Sequence, residues 1–340
     1  MDWNPPDGSL KIAVVDMHAA GEPLRVISEG FPELPGGSIL LKRRFLQENY
    51  DFLRRSVLWE PRGHRDMYGA LLTEKERPDS DFGAIFMHNE GYGTMCGHGI
   101  IGLVTLALET GLAEVKGDRP IIKIDTAAGQ VIAEAVVENG RVSEVSFRNV
   151  PSFAYALGRR VDVPGLGSIS IDIAFGGAFY AVCQAADVDV DLVPNNYRRL
   201  VDLGMRIKEA ATKAIPIRHP IEEDLSFLFG TIIVGPAIGH GCHSRNVCIF
   251  ANGEVDRSPT GTGVSARAAL LYSRGEIRPQ ETFIVESMLG TRFKGKIMEI
   301  TTFGPYTAVI TEVAGSANIT GRAELFISPG DPLKNGFLLG

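Results

Sequence analysis

The chain of 340 residues carries 34 Lys and Arg against 41 Asp and Glu, a formal net charge of −7, and is 44% apolar and 22% charged. That is the mix of a globular chain of about two domains. No basic block offsets the charge, which argues against nucleic acid or an anionic membrane surface as the main partner. The best apolar run, 100–108, is broken by Gly102 and ended by Glu109, well short of the about 20 residues of a membrane span. The opening Met1-Asp2-Trp3-Asn4-Pro5-Pro6 has no basic or apolar leader region, so no signal peptide is expected. Four cysteines without paired spacing suit a reducing cytoplasm.

In chain order, residues 10–16 form a short Val- and Ile-rich run that predicts a strand. Residues 38–60 place Leu41, Phe45, Phe52 and Leu53 among charges, which predicts a long amphipathic helix. A strand at 82–88, a glycine turn at 91–93 and a buried helix over 99–112 follow. Residues 121–125, 131–137 and 142–147 alternate like antiparallel strands. The order then repeats: strands at 169–173 and 179–183, a long helix over 196–214, strands at 228–234 and 246–250, a turn at 256–263 and a helix over 264–273.

The repeat can be tested residue by residue. At a constant offset of 164, Ile85, Phe86, Glu90, Gly97 and Gly99 fall on Ile249, Phe250, Glu254, Gly261 and Gly263. Chance would give about one identity over the span 85–99. Two homologous α/β lobes are therefore expected, 1–160 and 161–320, with 321–340 as a tail packing back on the first. Each lobe ends a strand in a glycine turn that opens a helix, and two such turns facing each other would make an interlobe cleft.

The turns are Met95-Cys96-Gly97-His98-Gly99 and Pro259-Thr260-Gly261-Thr262-Gly263. Each sets a nucleophile-type side chain at a helix N-terminus, where unpaired amides and the helix dipole favour negative charge. A carboxylate could be held by both sets of amides, and the Cys96 thiol is expected below its reference of about 8.5. A thiolate beside a bound carboxylate points to proton abstraction from the carbon that bears it. The plainer reading of Cys96 is a small buried hydrophobe; the matched turn favours chemistry.

The stretches 16–26, 62–69, 89–99 and 256–263 resemble the proline racemase family over nearly the whole chain. The resemblance implies the diaminopimelate-epimerase-like fold: two pseudo-symmetric lobes of mixed, mainly antiparallel sheet around a central helix, with the active site in the interlobe cleft. Its racemases and epimerases use one cysteine on each face of the α-carbon. Cys96 matches the first, and Thr260 stands where the second is expected. An aliphatic hydroxyl without an activating partner is too weak an acid or base for α-proton exchange near neutral pH. Members with threonine here look like dehydratases that convert trans-3-hydroxy-L-proline to Δ1-pyrroline-2-carboxylate.

Cys96 and Thr260 are thus the expected catalytic positions. The resemblance also implies that the amides of Gly97, His98, Gly261 and Thr262 hold the substrate carboxylate, and that Asp256 accepts from the ring ammonium. No metal or organic cofactor is implied; the expected partner is a hydroxyproline, with a homodimer left open. The alternatives are a proline racemase or 4-hydroxyproline 2-epimerase, in which Thr260 or Cys242 supplies the second acid, and a non-catalytic amino-acid-binding or thiol-sensing protein. His240-Gly241-Cys242-His243 has the look of a metal fragment, but no second pair of ligands accompanies it, so a loop near the cleft is expected. Cys183 and Cys248 fall in strand-like runs and should be core. Roles of His18 and Glu22 stay open between a structural hydrogen bond and a substrate contact. Arg62, His64 and Arg65 read as a solvated loop, and Tyr92, which the offset relates to Asp256, as cleft wall or packing.

Overall fold

The computed structural model of the chain describes residues 3–339, Asp224 by its backbone alone. Met1, Asp2 and Gly340, the first two of which open the stretch read for a leader and the last of which ends the expected tail, lie outside the described residues. The chain runs β1 (Leu10–Ala19), β2 (Glu22–Glu29), α1 (Ile39–Leu58), β3 (Gly69–Thr73), β4 (Phe82–His88), β5 (Gly91–Tyr92), α2 (Gly97–Thr110), β6 (Ile121–Thr126), β7 (Gly129–Glu138) and β8 (Arg141–Arg148). It continues through β9 (Ser152–Val163), β10 (Gly167–Phe175), β11 (Phe179–Gln184), α3 (Tyr197–Ala214), β12 (Leu228–Gly235), β13 (Ser244–Phe250) and β14 (Glu254–Asp256). Then come α4 (Gly261–Ser273), β15 (Thr282–Glu286), β16 (Arg292–Phe303), β17 (Tyr306–Gly315) and β18 (Ala317–Ile327). Two compact units result: Met1–Val145 with Ser316–Gly340, and Ser146–Gly315.

In the first unit β1 lies between β18 and β2, both antiparallel to it. The sheet continues with β3 parallel to β2, β4 antiparallel to β3, β6 parallel to β4 and β7 antiparallel to β6. Each parallel step needs a crossover, and α1 and α2 are those crossovers. The second unit repeats the order: β9, β10 and β11 antiparallel in turn, β12 parallel to β11, β13 antiparallel to β12 and β15 parallel to β13. There α3 and α4 make the crossovers. Through β16 and β17 the ladder returns to β9, so that it closes on itself.

Helix amphipathicity decides where each helix sits. In α2 every residue from Gly97 to Leu108 is buried, and in α4 every residue from Gly261 to Leu271. Helices buried all round can only be central, and α4 accordingly packs against β9, β10, β11, β16 and β17. The one-sided helices α1 and α3 lie outside, with Leu46, Leu53 and Val57 of α1 and Leu200, Leu203 and Ile207 of α3 turned to the cores. Ser38 caps α1 by accepting from Leu41 N at 3.2 Å, and Gly111 ends α2 in the left-handed region at φ 77°.

The expected helices and strands are present with ends moved by a few residues. Both buried helices start earlier than their apolar runs, at Gly97 and Gly261, because the glycines themselves form the first turn. The 91–93 turn holds the two-residue strand β5. β2, β3, β9, β14 and β15–β18 are strands that the pattern reading does not reach. Among the described residues no helix is long and apolar enough to cross a membrane.

Candidate active site

Cys96 is the N-cap of α2, its backbone extended at φ −142°, ψ 119°. Its Sγ accepts from Gly99 N at 3.4 Å and lies 3.0 Å from His98 Nδ1. Both side chains are buried, Cys96 at 8% exposure and His98 at 5%. Gly99 is required by packing, since a Cβ there would sit 2.5 Å from Phe86 Cε1. The His98 ring meets Tyr68 edge-on at 4.7 Å, and Tyr68 in turn stacks on His88 at 6.0 Å.

The segment 62–69 carries Tyr68. Asn89 holds it, donating to Leu58 O at 3.1 Å and His64 O at 3.3 Å while accepting from Met67 N at 3.2 Å. Arg54 of α1 donates to the His88 and Asn89 carbonyls just before the turn. Arg62, expected in a solvated loop, is instead an anchor: it donates to Ser56 O at 2.8 Å and Lys334 O at 2.6 Å. Exposed Arg65 fits the loop reading. The 16–26 motif is structural as well. His18 Nδ1 accepts from Gly21 N at 3.3 Å, and Arg25, paired to Asp16 at 2.7 Å, donates to Val57 O at 2.8 Å. Tyr92 packs against α1 beneath the Arg54 guanidinium at 5.6 Å. Burial and the neighbouring Asp51 carboxylate push its phenol well above the ordinary range.

The second turn is built differently. Asp256 ends β14, buried, and its Oδ1 accepts from Ser258 N at 2.7 Å; Ser258 Oγ accepts from Thr260 N at 3.1 Å. Those two bonds hold Thr260 at φ 67°, ψ 98°, outside the usual range of a β-branched residue. Thr260 does not cap α4, and its Oγ1 is buried with no hydrogen-bond partner among the described residues. The first amides of α4 have no intrahelical acceptor. Thr262 Oγ1 is 2.7 Å from the hydroxyl of Tyr180, and both are buried. A Cβ on Gly176 would collide with Thr262 O, so the helix start is seated directly on that backbone.

Loop 236–243 is tied to Glu286, whose carboxylate accepts from Ile238 N at 2.9 Å, Gly239 N at 3.2 Å and Arg245 Nε at 3.1 Å. Cys242 is half-buried in it. Burial holds the His243 imidazole below its ordinary value, with the Arg267 charge adding to the effect. Among the described residues no three His, Cys, Asp or Glu side chains are grouped as metal ligands. Cys183 and Cys248 are core residues of β11 and β13, and burial pushes the Cys183 thiol up to about 12. Pattern reading passes over Tyr68 and Tyr180, because a phenol inside an apolar run is indistinguishable there from packing.

A family model described as proline racemase matches residues 14–338. The chain belongs to the proline racemase family. It is 47% identical to a trans-3-hydroxy-L-proline dehydratase of Colwellia psychrerythraea, over 99% of this chain and 96% of that one. It is 41% identical to a proline racemase of Clostridioides difficile, over 97% and 99%. The crystal structure of a hydroxyproline epimerase from Agrobacterium vitis with bound trans-4-OH-L-proline superposes with TM-score 0.89 at 29% identity, covering 100% of this chain and 96% of that one. A mixed sheet with few helices is thus the proline racemase fold.

Proposed function

We propose that this proline racemase family member is a trans-3-hydroxy-L-proline dehydratase, a cofactor-independent hydro-lyase that forms Δ1-pyrroline-2-carboxylate. The observation that carries the reading is the state of Thr260. Its hydroxyl is buried and has no partner among the described residues that could activate it. Inversion at Cα needs a competent acid or base on each face; elimination can proceed with one. The similarity to the Colwellia psychrerythraea dehydratase supports the same choice.

In this reading the substrate carboxylate is held by the amides of Gly97 and His98 and by those of Gly261 and Thr262. Those amides stabilise the charge that develops as Cα loses its proton. Asp256 accepts from the ring ammonium in a charge-assisted bond. Cys96 removes the α-proton. In the trans isomer the C3 hydroxyl is on the same ring face as that proton, so loss of water is syn and nothing is asked of Thr260. The first product is an enamine, which tautomerises to the cyclic imine. Four cysteines outside disulfides suit a cytoplasmic enzyme.

The test is incubation with the trans and cis isomers of 3-hydroxy-L-proline separately, the imine being trapped by borohydride and read as proline. Strong preference for the trans isomer is expected. Comparable kcat on the cis isomer would mean that a second acid serves the other face.

A further inference from the structure

Hydroxide is a poor leaving group, and the dehydratase reading above names a base for the α-proton and no separate acid for the departing oxygen. We propose that His98 is that acid, so that dehydration is carried by a Cys96–His98 pair working on one face of the substrate. This rests on the dehydratase reading and adds a catalytic residue to it.

The geometry of α2's first turn points there. His98 Nδ1 is 3.0 Å from Cys96 Sγ and Nε2 is 3.8 Å from it, so the imidazole lies along the thiol. The ring is buried and fixed edge-on against Tyr68, which is itself stacked on His88. Sγ has its own backbone donor in Gly99 N, which favours negative charge on sulfur and leaves the proton to the ring. The pair therefore sets a ring able to carry a proton directly against the thiol. Trans-3-hydroxy-L-proline presents its two departing groups, the α-proton and the C3 hydroxyl, to the same face. A base and an acid side by side are what that face requires.

The steps balance. The Cys96 proton passes to His98, giving thiolate and imidazolium. The thiolate takes the α-proton; the Cα–H electron pair forms the Cα–C3 double bond as the C3–O bond breaks, and the imidazolium proton goes to the leaving oxygen to make water. Cys96 ends as thiol and His98 as neutral imidazole. One proton transfer over the 3.0 Å contact restores the pair.

The experiment is His98→Asn, with His98→Gln as a second variant, assayed in three ways. Dehydration of trans-3-hydroxy-L-proline should fall by about a hundredfold or more, the scale of a lost general acid. Exchange of the α-proton of L-proline in D2O uses the thiolate but no acid for a leaving group, so it should fall by at least about tenfold less than dehydration does. The 3-fluoro analogue of the same relative configuration loses fluoride, which needs little protonation, and its release should fall no further than the proline exchange does. Unchanged affinity for pyrrole-2-carboxylate establishes that the variants are folded. Loss of exchange and dehydration to the same extent in a variant that still binds this analogue would overturn the proposal, since His98 would then act only by setting the thiolate. Dehydration that survives in either variant would overturn it too. A wild-type protein that exchanges L-proline but leaves trans-3-hydroxy-L-proline intact would instead remove the dehydratase reading, and this inference with it.

Discussion

Glu286→Gln separates a structural charge in the second unit from the catalytic turns. Glu286 and Arg245 are both buried, and the carboxylate holds three donors: Arg245, Ile238 N and Gly239 N. Arg245 also donates to Leu192 O at 2.9 Å, so it cannot turn out to water without losing a second contact. The amide keeps the volume, removes the countercharge and turns an NH2 toward groups that are themselves donors. Breaking a buried ion pair from one side costs about 3–5 kcal/mol. Gln keeps one acceptor oxygen, so the lower end, about 3 kcal/mol, is expected. For a unit the size of Ser146–Gly315, 1 kcal/mol moves the midpoint by about 2–4 °C, hence a fall of about 6–12 °C. Thermal and urea unfolding measure the loss, and amide exchange at Ile238 and Gly239 should quicken. The pH dependence is a second check. Burial pushes the Glu286 carboxyl up, but Arg245 and the two loop amides outweigh it and hold the value below the usual carboxylate range. Its stabilisation is thus complete above the unfolded carboxyl value and lost as pH falls through the folded one. The gap between wild type and variant should be widest near neutrality and close below about pH 4. A loss under about 1 kcal/mol at neutral pH, or a gap that acid leaves unchanged, would refute the reasoning.

Cys96→Ser should lower kcat for dehydration by orders of magnitude while binding of pyrrole-2-carboxylate changes little; retention of more than about a tenth of kcat would remove the cysteine from the mechanism. Thr260→Cys should gain measurable inversion of proline or 4-hydroxyproline, read by optical rotation, because the second thiol would enter a site already shaped for a buried side chain of that size. Tyr180→Phe deletes the bond to Thr262 Oγ1. About 1 kcal/mol of stability should be lost, with KM for the hydroxyproline raised several-fold and kcat less affected, since Thr262 would be displaced from the carboxylate; equal KM would make the bond purely structural.

Both glycine turns, the helices behind them and the repeat that relates them were legible because they rest on local signals: apolar runs that end at glycines, and identities at constant spacing. The closing strands β15–β18 were not. Strand β18 is exposed over most of its length, so its residues carry no buried alternation to read. Charged motif residues gave the least away. Arg62 and Arg25 look like surface chemistry in one dimension and act as ties between carbonyls far apart in the chain. Cys96 and Thr260 both head helices as their spacing implies, yet only the cysteine caps its helix. That difference depends on backbone angles set by Ser258 and Asp256, which no pattern of residue types encodes.

The central claim is that one thiol and an inert Thr260 make this site eliminate and not invert. The most direct measurement compares, in one wild-type preparation, the rate of imine formation from trans-3-hydroxy-L-proline with the rate of inversion of L-proline and of trans-4-hydroxy-L-proline. The account predicts dehydration with no measurable inversion of either compound. Inversion at a rate comparable to dehydration would contradict it.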